Sequence, residues 1–175
     1  MSDRMKSRVD SASFRQIMGC FATGIAVATA RNNELGSFGL TINSLTSVSL
    51  DPPLLLFCLD KSAHLHDAFR KSDIFAVNLL AQGQEDTSRH FADRHHHAAP
   101  KNMWDRPQKN CPILRGTLGW ALCRRHALYK GGDHTIFVGE VIDLYKRAGS
   151  KEPLLYFHGR YREMAAAKLT SGARK

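Results

Sequence analysis

The sequence lacks most of the short motifs that identify a chemistry. Its four cysteines stand at positions 20, 58, 111 and 123, and no two form a C-x-x-C pair. That argues against a zinc ribbon or a thioredoxin-like site. No G-x-G-x-x-G follows a strand pattern, so a nicotinamide nucleotide would bind without a Rossmann domain. There is no G-x-S-x-G elbow. No apolar run approaches the roughly 20 residues needed to span a bilayer. The basic start MSDRMKSR is not followed by the apolar stretch of a secretory signal. Internal repeats and low-complexity blocks are also missing. Cys20 and Cys58, in apolar surroundings, read as small core residues, and a reducing, cytoplasmic setting is expected.

What is present fits one domain. The chain has 175 residues, 43% of them hydrophobic, enough to bury a sizeable core. It carries 25 Lys plus Arg against 16 Asp plus Glu, a net charge of +9. That sign admits nucleic acid, an acidic membrane surface or a phosphorylated small molecule as partner. Several of the charges lie in the terminal stretches, which read as solvated tails over 1–12 and 164–175 around a domain at 13–163.

Ser13 and Gln16 have the form of a capping box, and Phe14, Ile17, Met18 and Phe21 follow at helical spacing, so a helix is expected over about 13–21. IAVATA reads as a strand, NNELG as a turn, and SFGLTINSLTSVSL as a second extended segment stopped by Asp51-Pro52-Pro53. LLLFCL and FAVNLL read as short buried strands. Ser62 is placed to cap a helix reaching Lys71, and 84–92 looks helical. Residues 93–112 read as an excursion loop. TLGWALCRRHALYK and HTIFVGEVIDLYK flank the turn GGD as a hairpin, and PLLYFHGRYRE supplies one more strand. Six or seven strands with two or three short helices predict a mainly β fold, an antiparallel barrel with peripheral helices.

Chemistry concentrates in a few places. Thr41, Asn43, Ser44, Thr46, Ser47 and Ser49 form a dense run of hydroxyl and amide groups; a solvent-facing strand accounts for them, as does an edge that grips a heterocycle or phosphate. Lys61-Ser62 before a helix suits an anion or an ordinary cap. His134 after the glycine turn suits proton transfer near neutral pH or an exposed turn. His95-His96-His97 invites a metal reading, but adjacent histidines do not converge readily on one ion, and no metal is expected. The alternation of basic and aromatic residues in YFHGRYR superficially suits single-stranded nucleic acid but also a terminal strand, which is the reading preferred.

Taken in order, FRQIMGCFATGIAVAT, GLTINSLTSVSLDPPLLLFCLDKSAH, FAVNLLAQGQ, SRHFA, GDHTIFVGEV and PLLYFHGRYR resemble the flavin reductase family of two-component flavin-dependent monooxygenases. The likeness runs from about Phe14 to Arg162. It implies an FMN-binding split β-barrel, a homodimer, and hydride transfer from NADH or NADPH to FMN or FAD, with the reduced flavin passed to a monooxygenase partner. It implies flavin contacts at Thr41, Ile42, Asn43, Ser44 and Ser47, and a second segment from Cys58 through Asp60 and Lys61 to Ser62, with Lys61 and Ser62 nearest the phosphate. A third segment comprises Arg89, Phe91 and Ala92, and a terminal strand contributes Tyr156, His158, Arg160 and Tyr161. His134 is implied on the nicotinamide side. Ile42 and Leu45 depart from the family's usual alanine and aromatic. No membrane or nucleic-acid partner is implied. A split-barrel flavoprotein that holds FMN tightly for its own substrate, and a non-catalytic flavin- or nucleic-acid-binding module, remain open on these residues.

Overall fold

Small residues let the second strand lie between two neighbours with both faces covered. In the computed structural model, which describes residues 9–95, 100–105, 107–149 and 151–164, strand β1 is Thr23–Gly24 and β2 is Ala26–Asn32. Ala26, Val27, Ala28, Thr29 and Ala30 of β2 are all buried. β3 (Gly36–Ile42) pairs with one side of β2 and β6 (Ile74–Leu79) with the other. The β2–β3 turn closes on Asn32, whose Oδ1 accepts from the N–H groups of Glu34 at 3.1 Å and Leu35 at 2.7 Å.

β4 (Thr46–Leu50), β5 (Pro53–Asp60), β7 (Gly119–Gly131) and β8 (His134–Lys146) complete a seven-stranded antiparallel sheet in the order β3-β2-β6-β7-β8-β5-β4. β7 and β8 form the expected hairpin, with Gly131 opposite His134. Gly132 in its two-residue loop has φ +66, where a tight hairpin favours glycine. The outer strands β3 and β4 are joined directly through residues 43–45. A link of that length spans at most about 14 Å, so the sheet must curl until its edges nearly meet. The result is an incompletely closed, split barrel.

Its interior is aromatic. Phe57 stacks on Phe137 at 5.1 Å between centroids and meets Phe75 edge-on at 5.4 Å, while Phe38 meets Phe69 edge-on at 5.1 Å. Each of these rings is buried, and each contributes about 1.5–3 kcal/mol by leaving water. On the other face of β2 and β3, helix α3 (Glu85–Ala92) packs the Phe91 ring over Gly39. A buried polar knot pins the returning loop. Asn78 Nδ2 donates to Val27 O and Thr29 Oγ1, both at 3.0 Å, and Asn78 Oδ1 accepts from Leu114 N at 2.9 Å.

Several expectations are corrected. Helix α1 is Ser11–Gly19, capped by Asp10 rather than Ser13. The Asp10 carboxylate accepts from the N–H groups of Ala12 and Ser13 and from the Ser13 hydroxyl at 2.8–2.9 Å. A charged acceptor outcompetes the serine hydroxyl for those donors. The second extended segment breaks into β3 and β4. Helix α2 is only His66–Lys71 and has no side-chain cap; Ser62 instead turns back onto Asp60. The described residues within 93–112 do form the expected loop, with a 3-10 turn at Lys101–Met103 and a bridge between Gln108 and Cys111. The last segment is itself a hairpin, β9 (Leu155–Phe157) and β10 (Arg160–Arg162), which joins β1 in a separate three-stranded sheet. The strand count therefore reaches ten among the described residues. Cys20 is exposed and Cys58 half-buried; the buried thiols are Cys111 and Cys123.

Candidate functional site

The link between the two edge strands is where backbone leaves the sheet and polar groups become available. Ser44 is committed to structure. Its hydroxyl accepts from Cys58 N at 2.9 Å and donates to Cys58 O at 3.2 Å, stitching the link to β5. Asn43 is exposed and its amide has no hydrogen-bond partner among the described residues. It stands in the wall of two clefts. The larger, of about 880 Å³, runs past Asn43 and Ser44 to Thr23 of β1 and to Tyr156 and His158 of the terminal hairpin. The smaller, about 200 Å³, is bounded by Thr41, Ile42, Asn43, Ala92, Tyr156 and Tyr161.

The wall of the smaller cleft is braced. Thr41 Oγ1 donates to Ser88 O at 2.7 Å, and Tyr161 Oη donates to Ser88 Oγ at 3.0 Å. The Arg89 guanidinium lies 4.8 Å above the Tyr161 ring and pairs with Glu85 at 2.5 Å. The hydrogen bond to that carboxylate holds the Arg89 guanidinium more firmly protonated than usual. His158 adopts a left-handed backbone, φ 49, with its N–H on Gly19 O at 3.0 Å. That bond ties the hairpin tip to the end of α1 at the rim of the larger cleft.

A charged group lies at the C-terminal end of β5, two residues on from Cys58. Asp60 sits opposite His134 in the β5–β8 ladder. Asp60 Oδ1 accepts from Ser62 N at 2.7 Å and Ser62 Oγ at 2.8 Å. These bonds, with smaller contributions from the charges of His134 and Arg94, hold the Asp60 carboxyl below the usual carboxylate range. Lys61 Nζ donates to Gly132 O, and Lys61 N donates to Asp133 O at 2.9 Å. His134 Nδ1 lies 2.7 Å from Asp133 Oδ1, and that hydrogen bond lowers the Asp133 carboxyl. From Cys58 to Lys61 is about 10 Å along an extended strand, and the Ser44–Cys58 bonds bring the 43–45 link to the same end of β5 as this charged group.

The expected site residues therefore separate. Thr41, Ile42, Asn43, Ala92, Tyr156 and Tyr161 converge on the smaller cleft; Asn43, Ser44, Tyr156 and His158 on the larger; Asp60, Lys61, Ser62 and His134 on the charged end. Cys58 joins them through its backbone, and burial pushes its thiol up. Three residues do not join. Phe91 is fully buried against Gly39 and Trp104, because the helix needs an aromatic there to pack on the sheet. Ser47 is exposed at the β4 bulge, against a different groove. Arg160 is exposed in β10. Of the three adjacent histidines, His96 and His97 lie outside the described residues. Among the described residues, no three His, Cys, Asp or Glu side chains converge as a metal site, and no helix is long and apolar enough to cross a membrane.

Sequence reasoning missed Ser88 and Thr23. Ser88 joins Thr41 to Tyr161, and only its place one residue before Arg89 in SRHFA hinted at it. Thr23 Oγ1 is buried without a partner beside the larger cleft. An orphaned hydroxyl and an exposed amide in the wall of the larger cleft form a donor set suited to the polar edge of a planar heterocycle. The residues present fit a flavin nucleotide.

Comparison with known proteins agrees. The model of the flavin reductase like domain family matches residues 18–165. FMN reductase (NADH) SmoA of Agrobacterium fabrum is 41% identical over 152 residues, 87% of this chain and 85% of its own. The reductase subunit HsaB of a flavin-dependent monooxygenase of Mycobacterium tuberculosis is 32% identical over 167 residues, 95% of this chain and 89% of its own. The solved structure of the Streptomyces globisporus C-1027 NADH:FAD oxidoreductase SgcE6, in complex with NAD and FAD fragments, superposes with a TM-score of 0.85 at 39% identity, covering 91% of this chain and 95% of that one.

Proposed function

The chain belongs to the flavin reductase like domain family, and from that premise we propose that it is an NADH-dependent flavin reductase that binds flavin across the Asn43 clefts and supplies reduced flavin to a separate monooxygenase. The observation that carries this reading is the link at 43–45. It crosses the gap between the sheet edges and places an exposed amide, unpartnered among the described residues, where two clefts meet. The SmoA, HsaB and SgcE6 relatives support NADH as donor, FMN or FAD as acceptor, and an oxygenase as recipient.

A bound flavin supplies the two-electron acceptor for a nicotinamide hydride. The protein's part is to bind and orient. Asn43 and Thr23 offer uncommitted hydrogen-bonding groups to the heterocycle, and Ser44 keeps the link rigid so that Asn43 is preorganised. Donors aimed at the ring edge favour the charge that accumulates there on reduction. Lys61 and Arg89 supply positive charge for phosphate. Asp133 occupies one imidazole nitrogen of His134 and leaves the other for the nicotinamide side. Holding both partners in one place turns a bimolecular encounter into a positioned transfer.

The working unit is a homodimer. α1 buries none of its residues within its own chain, and β4 ends the sheet with Val48 and Leu50 exposed. All four thiols are free, which suits a reducing cytosol.

NADH oxidation measured with FMN, FAD and riboflavin side by side tests the proposal. Saturable, flavin-dependent turnover in which free flavin is reduced is expected. Absence of saturable interaction with every flavin overturns it. Turnover confined to flavin that never leaves the protein would favour a flavoprotein acting on its own substrate.

A further inference from the structure

One buried titratable side chain lines neither of the Asn43 clefts. His66, the first residue of α2, is 8% exposed, and so is Thr135. The His66 Nε2 and the Thr135 hydroxyl share a hydrogen bond of 2.8 Å. The imidazole stands edge-on to Phe137 at 6.1 Å between centroids, and its Nδ1 lies 3.5 Å from the exposed Asp67 carboxylate. Burying an imidazole and a hydroxyl costs free energy unless each satisfies the other. Two apolar side chains would fill the same space without demanding a direction. What the polar pair adds is a fixed position for Thr135.

Thr135 follows His134 in β8, and neighbours in a strand point to opposite faces. Fixing Thr135 from inside the barrel therefore sets where His134 stands outside it. Lys61 grips the same turn from the neighbouring segment, through Asp133 O and Gly132 O. The turn ends two strands of 13 residues each; β5 pairs with β8 up to His134, but β6 pairs with β7 only as far as Arg124, so the β7 side of the tip is held by fewer bonds. We propose that His66 is a positioning residue: its buried hydrogen bond to Thr135 latches the start of β8, beside the β7–β8 turn, to the start of α2 and thereby places His134 for the nicotinamide. The proposal rests on the reductase reading for the role of His134. The latch itself is a property of the fold.

The test compares His66→Leu and Thr135→Val with the hydrogen-bonding replacements His66→Gln and Thr135→Ser. Losing one buried hydrogen bond of this kind is expected to raise the KM for NADH about tenfold. Flavin affinity, measured by fluorescence without NADH, is expected to stay unchanged. Gln and Ser are expected to recover most of the loss, and the Leu/Val double variant to be no worse than either single one, because both remove one interaction. Thr135→Val is nearly isosteric, so it decides the matter even where His66→Leu fails to fold. An unchanged KM for NADH in folded Thr135→Val, or equal losses of NADH and flavin affinity, overturns the proposal. Amide hydrogen exchange over 131–135 gives a readout independent of activity. Faster exchange in Thr135→Val is expected from the latch, and unaltered exchange removes it. A wild-type protein that oxidises no NADH would instead count against the reductase reading while leaving the exchange result to stand.

Discussion

At the scale of single residues, Asn43 and Ser44 look alike in sequence and do different work. Asn43 makes no bond that the fold needs, so Asn43→Ala is expected to leave thermal stability within about 0.5 kcal/mol of the parent while weakening flavin binding about tenfold. Ser44→Ala strips the partner from Cys58 N and is expected to cost about 1–3 kcal/mol of stability. Flavin titration beside thermal unfolding separates the two, and equal destabilisation by both variants would erase the distinction. The thiols offer a second contrast. Burial pushes both Cys111 and Cys123 up to about 12, so neither forms thiolate near neutral pH, and thiolate is the species that alkylates. Iodoacetamide is expected to label exposed Cys20 in the native protein and to reach Cys111 and Cys123 only after unfolding, as read by mass spectrometry of peptides.

At the scale of elements, Gly39 decides how α3 sits on the sheet. A Cβ there would lie 2.9 Å from the Phe91 ring and 3.1 Å from Val27 Cγ1. Phe91 is fully buried and cannot swing aside. Gly39→Ala is thus expected to displace α3, disturb the Thr41–Ser88–Tyr161 brace, and lower stability by about 1–3 kcal/mol, with flavin affinity falling alongside; undisturbed affinity would separate the helix from the site. The same elements show what the sequence could and could not convey. Alternation and turn chemistry were readable where the physics is local: the GGD hairpin, the Asn32 turn and the strand over 26–32 all follow from neighbouring residues. The break at 43–45 was hidden, because it arises from closing two distant sheet edges, which no local pattern records. α2 was misplaced because Ser62 satisfies Asp60 two residues before it, a choice that depends on where β5 ends. The packing role of Phe91 was likewise unreadable without the glycine it covers, and the orphaned Thr23 hydroxyl became visible only when β1 met the terminal hairpin.

At the scale of the whole molecule, large apolar side chains stand exposed on and just after α1. Phe14, Ile17, Met18 and Phe21 are 51–69% exposed along α1 and the residues just after it, and Leu50 at the end of β4 is 95% exposed. A soluble monomer seldom leaves that much apolar surface together, and covering each such side chain returns about 1.5–3 kcal/mol. A second copy of the chain is the natural cover, since a closed two-fold pair shields the same patch on both subunits at once. Met18, Gly19 and Phe21 also line the larger cleft, so association and flavin binding are expected to be coupled. Sedimentation equilibrium is expected to show a dimer at micromolar protein. Introducing charge with Phe14→Asp and Ile17→Asp, neither of which carries a core contact within its own chain, is expected to yield a folded monomer with weakened flavin affinity. If the charged variant stays dimeric, α1 is not the cover. If it becomes monomeric yet binds flavin as tightly as the parent, the cleft is complete within one chain and the coupling between assembly and cofactor binding is absent.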